Sequence, residues 1–460
     1  MIKLYNTLSG KKEDIPEKKK IDLFVCGPTV YDYAHIGHAR TCIFFDFFAK
    51  YLRTQGFDVF YLQNITDIDD KIIKRASEEN KKTSELSRFF SDAYIEDMES
   101  VGIAAVTKYA KATEFIPDII RQIELLIEKE YAYKIDGDGW YFDISKDEDY
   151  GKLSGRNVEQ AEDAISRIDE AIGKRNKGDF CLWKFSKPDE PTWKSQLGDG
   201  RPGWHIEDTA ITEHFFGPQY DIHGGGLELK FPHHEAEIAQ QESASGKKPF
   251  VKIWMHTGSL LVEGKKMSKS LGNFITIREF LKENKPEILR WITLTHHYRS
   301  PLDYSNESVE QAKAAIEKIK LFLAKLEFLT KETSGYPDTN TESIIKKIDA
   351  IFVSALTDDI NTPIAIASIF NMMIELQPTI WTLDSANAHI LRKYINEKLE
   401  ILGFSFKSYE IPREIEQLSA EREKSRASEQ FMQSDALRKE INSLGYEVED
   451  TPIGPFIYPK

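Results

Sequence analysis

The chain has 460 residues, of which 41% are hydrophobic and 30% charged, and its net charge is −14. That length predicts two to four structural units, and the negative charge excludes a protein that coats nucleic acid nonspecifically. The sequence contains neither an apolar signal segment nor a run of about 20 apolar residues typical of a membrane span. Three cysteines, Cys26, Cys42 and Cys181, form no disulfide framework. We therefore expect a cytoplasmic enzyme without a membrane partner.

The first predicted elements are a strand, a helix and a second strand. Residues 21–25 (IDLFV) are apolar and β-prone, and Cys26-Gly27-Pro28 ends them. Residues 39–55 show the apolar side of a helix, which Gly56 is placed to end. Residues 59–63 predict the next strand. This order with short connections indicates a parallel α/β unit.

The middle of the chain changes in composition. Residues 71–131 have a charged, helical pattern, whereas residues 137–203 are rich in Gly, Pro, Asp and Trp and lack periodicity. Residues 216–223 and 251–256 again resemble strands. The middle segment is therefore predicted to be an insertion between two halves of a nucleotide-binding fold.

The last third of the chain is predicted to be helical. The helical pattern runs from residue 304 to about residue 403 and is interrupted by the polar residues 331–341. From residue 404 a further helical unit follows, with a tail rich in Gly and Pro. Neither an internal repeat nor a low-complexity tract is recognised.

Two short motifs indicate a nucleotide site. His35 and His38 lie three residues apart, so at a helix start both rings occupy one face, and Gly37 lets a ligand approach the backbone. The Gly-flanked Lys266-Met267-Ser268-Lys269-Ser270 places two ammonium groups where they can meet a triphosphate. Alone, the first is more often a structural or metal motif and the second surface charge. Together and in this order they resemble the two signatures of class I aminoacyl-tRNA synthetases.

Further motifs narrow the resemblance to the cysteinyl-tRNA synthetase family, over essentially the whole chain. They are Cys26-Gly27-Pro28-Thr29-Val30-Tyr31-Asp32, Gly200-Arg201-Pro202-Gly203-Trp204-His205-Ile206-Glu207, Asp221-Ile222-His223-Gly224-Gly225-Gly226 and Phe231-Pro232-His233-His234-Glu235. The resemblance implies an α/β fold: a Rossmann-like parallel-sheet catalytic domain split by an insertion, then an all-α anticodon-binding region. The implied division is a catalytic domain at 1–120 and 201–304, a connective insertion at 121–200, a helical bundle at 305–403 and a C-terminal anticodon unit at 404–460.

The resemblance also implies a zinc ion that binds the substrate thiol. Shape alone separates cysteine from serine poorly, by roughly 10–200-fold, whereas zinc favours sulfur over a neutral hydroxyl. The implied ligands are Cys26, His233 and Glu237, and the last two lie four residues apart, on one helical face. The family has a cysteine as fourth ligand, where this chain has Asp208. We expect Asp208 to bind the zinc; the alternative is that it points elsewhere and leaves a weaker site or none.

Other site residues are carried over from the family. Gly27, Thr66 and Trp204 are expected to line the cysteine pocket. Glu228, which replaces the family's Asp, is expected to meet the substrate ammonium group. His205 and His223 are expected to crowd the metal pocket and to orient its ligands as outer partners.

The implied reaction joins L-cysteine to tRNA(Cys) through a cysteinyl-adenylate, with ATP and Mg²⁺. His35, His38 and Gly37 would contact ATP, and Lys266 and Lys269 would stabilise the triphosphate. We expect a monomer. Because the C-terminal tail departs from the family, Phe456 or Tyr458 is expected to supply base stacking. The alternatives are a cysteine ligase for an amino sugar, which needs no helical C-terminal region, and an inactive paralogue that only binds tRNA.

Overall fold

The computed structural model describes residues 2–156, 172–268, 271–330 and 339–460. The helices of this part of the chain are α1 (Ile36–Thr54), α2 (Asp70–Glu78), α3 (Thr83–Ser100), α4 (Ile116–Glu128), α5 (Ile206–Phe216), α6 (His233–Ser245), α7 (Ile277–Glu283), α8 (Pro286–Leu294), α9 (Asn306–Leu329), α10 (Thr339–Thr357), α11 (Thr362–Leu376), α12 (Ser385–Ile401), α13 (Arg413–Ala427) and α14 (Phe431–Ser443). Its strands are β1 (Lys3–Asn6), β2 (Lys11–Asp14), β3 (Lys20–Val25), β4 (Asp58–Ile65), β5 (Lys108–Lys111), β6 (Ala132–Ile135), β7 (Gly139–Phe142), β8 (Phe180–Phe185), β9 (Gly200–Pro202), β10 (Tyr220–Gly226), β11 (Val251–Thr257), β12 (Leu260–Val262), β13 (Lys265–Lys266), β14 (Leu302–Tyr304), β15 (Tyr446–Thr451) and β16 (Gly454–Pro459).

A parallel five-stranded sheet lies in the first 257 residues of the chain. Its strand order is β11-β10-β3-β4-β5, and every neighbouring pair is parallel. The chain moves outward from β3 in both directions, so the strand order reverses between β3 and β10. Open parallel sheets bind their ligands beyond the carboxyl ends of the strands at such a point. The predicted Rossmann-like sheet is confirmed.

Helix α1 packs on this sheet and contains four buried phenylalanines. Phe44, Phe45, Phe47 and Phe48 are at most 2% exposed, and burial of such a side chain contributes roughly 1.5–3 kcal/mol. A methyl group on Gly224 would lie 2.3 Å from the Phe45 ring. Glycine at this position of β10 therefore lets α1 lie directly against the strand, which fixes where the start of the helix stands.

Several strands were not predicted. The insertion contains an antiparallel sheet with the order β6-β7-β8-β9, and β5 lies within the segment predicted as helical. The C-terminal tail forms the β15–β16 hairpin. Phe216 ends α5 instead of beginning a strand, because the apolar run there continues the helix up to Gly217. Short strands with irregular alternation lack the periodicity from which they would be recognised.

The chain forms two compact units. The first comprises Met1–Ser305 with Thr357–Asn361, and the second comprises Asn306–Leu356 with Thr362–Lys460. The finer division into four domains stays a prediction. Within the second unit Phe456 is 3% exposed and its ring packs 5.5 Å from that of Phe328. The expectation that Phe456 stacks on a base is therefore wrong, because its ring is part of the unit's core.

Among the residues that the structure describes, one segment meets the length and composition of a membrane span. It is Thr362–Thr382. An 18-residue stretch of this segment has a mean hydropathy of 1.2, and 44% of that stretch is buried. It consists of α11 and the short 3₁₀ helix Gln377–Thr382. A helix buried in a protein core has the same length and composition, so this segment alone does not indicate a membrane.

Candidate active site

A cavity of about 430 Å³ lies at the carboxyl edge of the parallel sheet. Both groups of predicted site residues line it. They are Cys26, Gly27, His35, Gly37, His38, Thr66, Trp204, Asp208, Glu228, His233 and Lys266. Glu237 lies behind the wall and is fully buried. Lys269 lies outside the described residues. The arrangement brings the two histidines of the first motif and the predicted metal ligands to one space.

Four donor side chains converge at one end of the cavity. Cys26 follows β3 directly, and its backbone N–H donates to the carbonyl of Gly224 in β10, at 3.0 Å. Asp208 lies in the first turn of α5, and His233 and Glu237 lie one turn apart on α6. Three separate elements thus present these side chains to one point.

The distances fit a tetrahedral ion. From usual zinc–ligand lengths, neighbouring donors of such an ion are about 3.4–3.6 Å apart. Cys26 Sγ lies 3.3 Å from Asp208 Oδ2 and 3.9 Å from Glu237 Oε1. His233 Nε2 lies 3.0 Å from Asp208 Oδ2 and 3.2 Å from Glu237 Oε1. All four donor atoms lie within 4.8 Å of one another, so the residues fit a divalent cation.

The charges of this cluster also favour a cation. Burial raises the pKa of the Cys26 thiol well above its usual value, and Asp208 and Glu237 raise it further. Burial, then Asp208 and Glu207, likewise raises the pKa of Glu237. Glu237 Oε2 has no hydrogen-bond partner among the described residues. Acidic groups that lie this close together in a largely buried site repel one another when ionised, and a bound divalent ion removes that cost.

A second donor set overlaps the first and was not predicted. It consists of Cys26, His223, His234 and Glu237. His223 Nε2 and His234 Nε2 lie 3.3 and 3.1 Å from Cys26 Sγ. The adjacent residues His233 and His234 were the sequence feature that could have indicated this second set. Their adjacency in sequence gave no reason to place both rings in one pocket. Both His223 and His234 are fully buried and absent from the cavity wall.

His205 and Trp204 pack against the predicted ligand His233. His205 Nδ1 lies 2.7 Å from His233 Nδ1, and the Trp204 ring stacks on the His233 ring with centroids 4.4 Å apart. Both contacts fix the His233 ring with Nε2 directed at Asp208. Such outer partners set the orientation of a metal ligand.

The residues predicted to form the cysteine pocket line the same cavity, but they differ in burial and in hydrogen bonding. The Thr66 hydroxyl donates to buried Glu207, whereas Glu228 is exposed. Gly27 donates its backbone N–H to Asn64 Oδ1 at 2.6 Å. A methyl group on Gly27 would lie 1.8 Å from the Asn64 carbonyl oxygen, so only glycine fits this close approach.

His35 and His38 cap α1 as well as lining the cavity. His35 Nδ1 accepts from the backbone N–H groups of Gly37 and His38, and His38 Nδ1 accepts from that of His35. The rings stack with centroids 3.7 Å apart. Burial lowers the pKa of His38 to about 4. With Nδ1 accepting, the proton of neutral His38 is on Nε2, which is then a donor. The cap explains why α1 begins three residues before the predicted start.

The motif that contains Lys266 begins in a short hairpin, and the residues that follow the motif lie beside the start of α1. Lys266 lies in β13, which pairs with β12, and its side chain is exposed at the cavity wall. The loop's far end is fixed, since Ile36 donates to the carbonyl of Ile275 and Ile277 to that of Ala34, at 3.1 and 3.0 Å. Ile275 and Ile277, on the far side of the motif, thus lie next to the capped helix start.

Comparisons with known proteins cover nearly the whole chain. Residues 12–314 match the family described as tRNA synthetases class I (C) catalytic domain, and residues 351–407 match the DALR domain. A cysteine–tRNA ligase of Caldicellulosiruptor saccharolyticus is 42% identical over 461 residues, with 98% of each chain covered. One of Legionella pneumophila is 43% identical, with 99% of this chain and 98% of that protein covered.

A solved structure shares the fold at low sequence identity. The methionyl-tRNA synthetase of Mycobacterium tuberculosis in complex with methionyl-adenylate superimposes with a TM-score of 0.63 and 15% identity. The match covers 84% of this chain and 90% of that chain.

Proposed function

The chain belongs to the cysteine–tRNA ligase family of class I tRNA synthetases, and we propose that it joins L-cysteine to tRNA(Cys) with ATP. A single observation carries the proposal: His35 and His38 at the start of α1, Lys266 and three of the four donor residues line one cavity, and the fourth donor, Glu237, lies directly behind its wall. The family membership supplies ATP as substrate. The amino acid is assigned from the donor cluster, because a thiol is the side chain that such a metal site selects.

The first step forms cysteinyl-adenylate. A carboxylate oxygen of cysteine attacks the α-phosphorus of ATP, the bond from that phosphorus to the β-bridging oxygen breaks, and pyrophosphate leaves. The Nε2–H groups of His35 and His38 would donate to ATP, and Lys266 and Lys269 would neutralise charge that develops on the triphosphate, together with Mg²⁺. The protein supplies position and charge and no covalent intermediate of its own.

The second step transfers cysteine to tRNA. A terminal ribose hydroxyl attacks the carbonyl carbon of the adenylate, the bond from that carbon to the phosphate oxygen breaks, and AMP leaves with the hydroxyl proton on its phosphate. The DALR match and the helical second unit support tRNA binding by residues beyond 305. They also disfavour the amino-sugar ligase, which has no need of such a region. We assign the helical bundle to residues 305–403 and the anticodon unit to residues 404–460.

We assign the metal ligands to Cys26, Asp208, His233 and Glu237. In this donor set Asp208 and His233 line the cavity, so a substrate thiol in the cavity can reach the ion. In the other set, His223 and His234 lie behind the cavity wall. A zinc ion bound there would supply a Lewis-acidic site that favours a thiolate over a hydroxyl. Glu228 would bind the substrate ammonium group, and Gly27, Thr66 and Trp204 would limit the pocket. We also propose that the protein is a monomer and acts in the cytoplasm.

Cysteine-dependent ATP–pyrophosphate exchange tests the proposal, with serine as the control substrate. We expect exchange with cysteine and more than about 200-fold less with serine, because the metal site should exceed the discrimination that shape alone gives. Charging of a tRNA(Cys) transcript tests the second step. If neither amino acid supports exchange, the proposed enzymatic function is contradicted and the alternative of an inactive paralogue is supported.

A further inference from the structure

A five-residue segment between two helices of the second unit folds as part of the first. Thr357–Asn361 joins the end of α10 to the start of α11, yet clusters with Met1–Ser305. Asp359 and Ile360 have φ angles of 62° and 52°, in the left-handed region that residues with a side chain rarely occupy. Both are at most 1% exposed. Strained residues of this kind persist only where their surroundings fix them.

The Asp359 carboxylate is the centre of these surroundings. Oδ1 accepts from the backbone N–H of Tyr5 at 2.8 Å and from the Tyr298 hydroxyl at 2.7 Å. Oδ2 accepts from the Arg299 guanidinium at 2.8 Å, and His297 Nε2 lies 3.5 Å away. The Asp359 backbone N–H donates to the carbonyl of Lys3. One buried carboxylate therefore ties the segment to β1 and to residues 297–299.

From Tyr298 the contacts continue to the ATP end of the cavity. Its ring stacks on Phe44 of α1, with centroids 4.4 Å apart and planes 14° from parallel. Its carbonyl oxygen accepts from the backbone N–H of Gly258 at 2.8 Å and from Arg40 at 3.4 Å. Gly258 lines the cavity, and Arg40 and Phe44 lie on the helix that His35 and His38 begin. Packed rings and hydrogen bonds therefore join Asp359 to the cavity wall without a break.

We propose that Asp359 is a positioning residue through which tRNA bound to the helical unit changes the affinity of the cavity for ATP. α10 ends at Thr357, the first residue of the segment, and α11 begins at Thr362, directly after it. A shift of these helices therefore acts on Asp359 through the main chain. Asp359 passes the shift to Tyr298, and Tyr298 to Gly258 and α1. The proposal rests on the proposed function, since it takes tRNA as the ligand of the second unit.

The experiment measures the dissociation constant of ATP by equilibrium dialysis of the full chain. Cysteine is omitted so that no adenylate forms, and the measurement is made with and without a saturating tRNA(Cys) transcript. We expect tRNA to tighten ATP binding by about fivefold or more in the unaltered protein. In Asp359→Asn the ratio should fall below about twofold, while ATP affinity without tRNA changes little. A merely structural role would lower both affinities and leave the ratio intact.

Two further variants sharpen the test. Tyr298→Phe removes only the hydroxyl that donates to Asp359 and keeps the stacking on Phe44. It should also reduce the ratio of ATP affinities with and without tRNA. This variant keeps the inference testable if Asp359→Asn fails to fold. Asp358→Asn is the control, because its half-exposed carboxylate pairs with Lys12, and it should keep the ratio.

The outcomes separate this inference from the proposed function. Unchanged ratios in Asp359→Asn or Tyr298→Phe, or a ratio near one in the unaltered protein, would overturn the inference even when cysteine-dependent exchange is present. Loss of cysteine-dependent exchange in the unaltered protein would instead overturn the proposed function, and the inference with it.

Discussion

Asn64 and Asp208 are joined by a hydrogen bond from the Asn64 amide to Oδ1 of Asp208. The Asn64 amide oxygen is occupied in turn by the backbone N–H of Gly27. Asp208 is therefore held with only Oδ2 directed at Cys26 and His233, at 3.3 and 3.0 Å. This geometry lets a carboxylate act as a single-oxygen ligand at the position where the family has a thiolate.

Asp208→Ala should reduce the metal content of the protein. The substitution removes one of four donors and leaves Cys26, His233 and Glu237 in a site open to water on one side, so the ion should bind much more weakly. The measurement is elemental analysis of protein purified without added zinc. Glu213→Ala, which removes a carboxylate from the same helix, serves as the control. Equal metal in both variants and in the unaltered protein would show that Asp208 is not a ligand.

Asn64→Ala should weaken metal binding although every ligand remains. Loss of the amide frees the Asp208 carboxylate to rotate, and removal of such an outer partner typically costs 10–100-fold in metal affinity. Competition with a chelator of known affinity gives the constant, and the visible absorption of a cobalt-substituted sample reports the ligand geometry. The neighbour Gln63 bonds to Tyr94 instead. Gln63→Ala should therefore leave metal affinity within about threefold, and an equal loss in both variants would rule out a specific role for Asn64.

Lys266→Ala and Lys269→Ala should slow adenylate formation far more than they weaken cysteine binding. An ammonium group that meets charge developing on the triphosphate acts mainly in the transition state, where one such contact is worth roughly 10²–10³ in rate. Pre-steady-state adenylate formation and equilibrium binding of cysteine separate the two effects. Lys265 is equally exposed but absent from the cavity wall, so Lys265→Ala is the matched control. Weak cysteine binding at an unchanged rate would contradict this role.

Protonation of His38 should make the stability of the catalytic unit depend on pH. Its pKa is about 4 in the folded protein against 6.5 for the free side chain. The unfolded chain therefore binds more protons between these values, and stability is lost as the pH falls from 6.5 towards 4. From pH 7 to pH 5 the loss attributable to His38 is about 2 kcal/mol.

His38→Gln isolates this effect, because glutamine at the third helical position also completes a capping box. Denaturant unfolding followed at both pH values should show that the unaltered protein loses about 2 kcal/mol more than the variant. The other buried histidines are present in both proteins and cancel in the difference. Parallel pH profiles for the two proteins would mean that His38 titrates near its usual value.

Local pattern in the sequence was enough for the elements that surround the nucleotide. The apolar run before Cys26 and the periodicity after His38 predicted β3 and α1, because a buried parallel strand and an amphipathic helix each carry their own signal. The spacing of His233 and Glu237 likewise placed both on one face of a helix. The strands of the insertion gave no such signal, since they are short, irregular and stabilised by neighbours that are distant in the chain.

Only the tertiary structure decided how the donor cluster is built. Cys26 and Asp208 come from a strand end and a helix start far apart in sequence, and their distance depends on how α5 packs on the sheet. The sequence marked Asp208 as a departure from the family but could not say where its carboxylate points. Asn64 decides that, because a hydrogen bond between distant residues depends on three-dimensional placement and leaves no periodic trace in the chain.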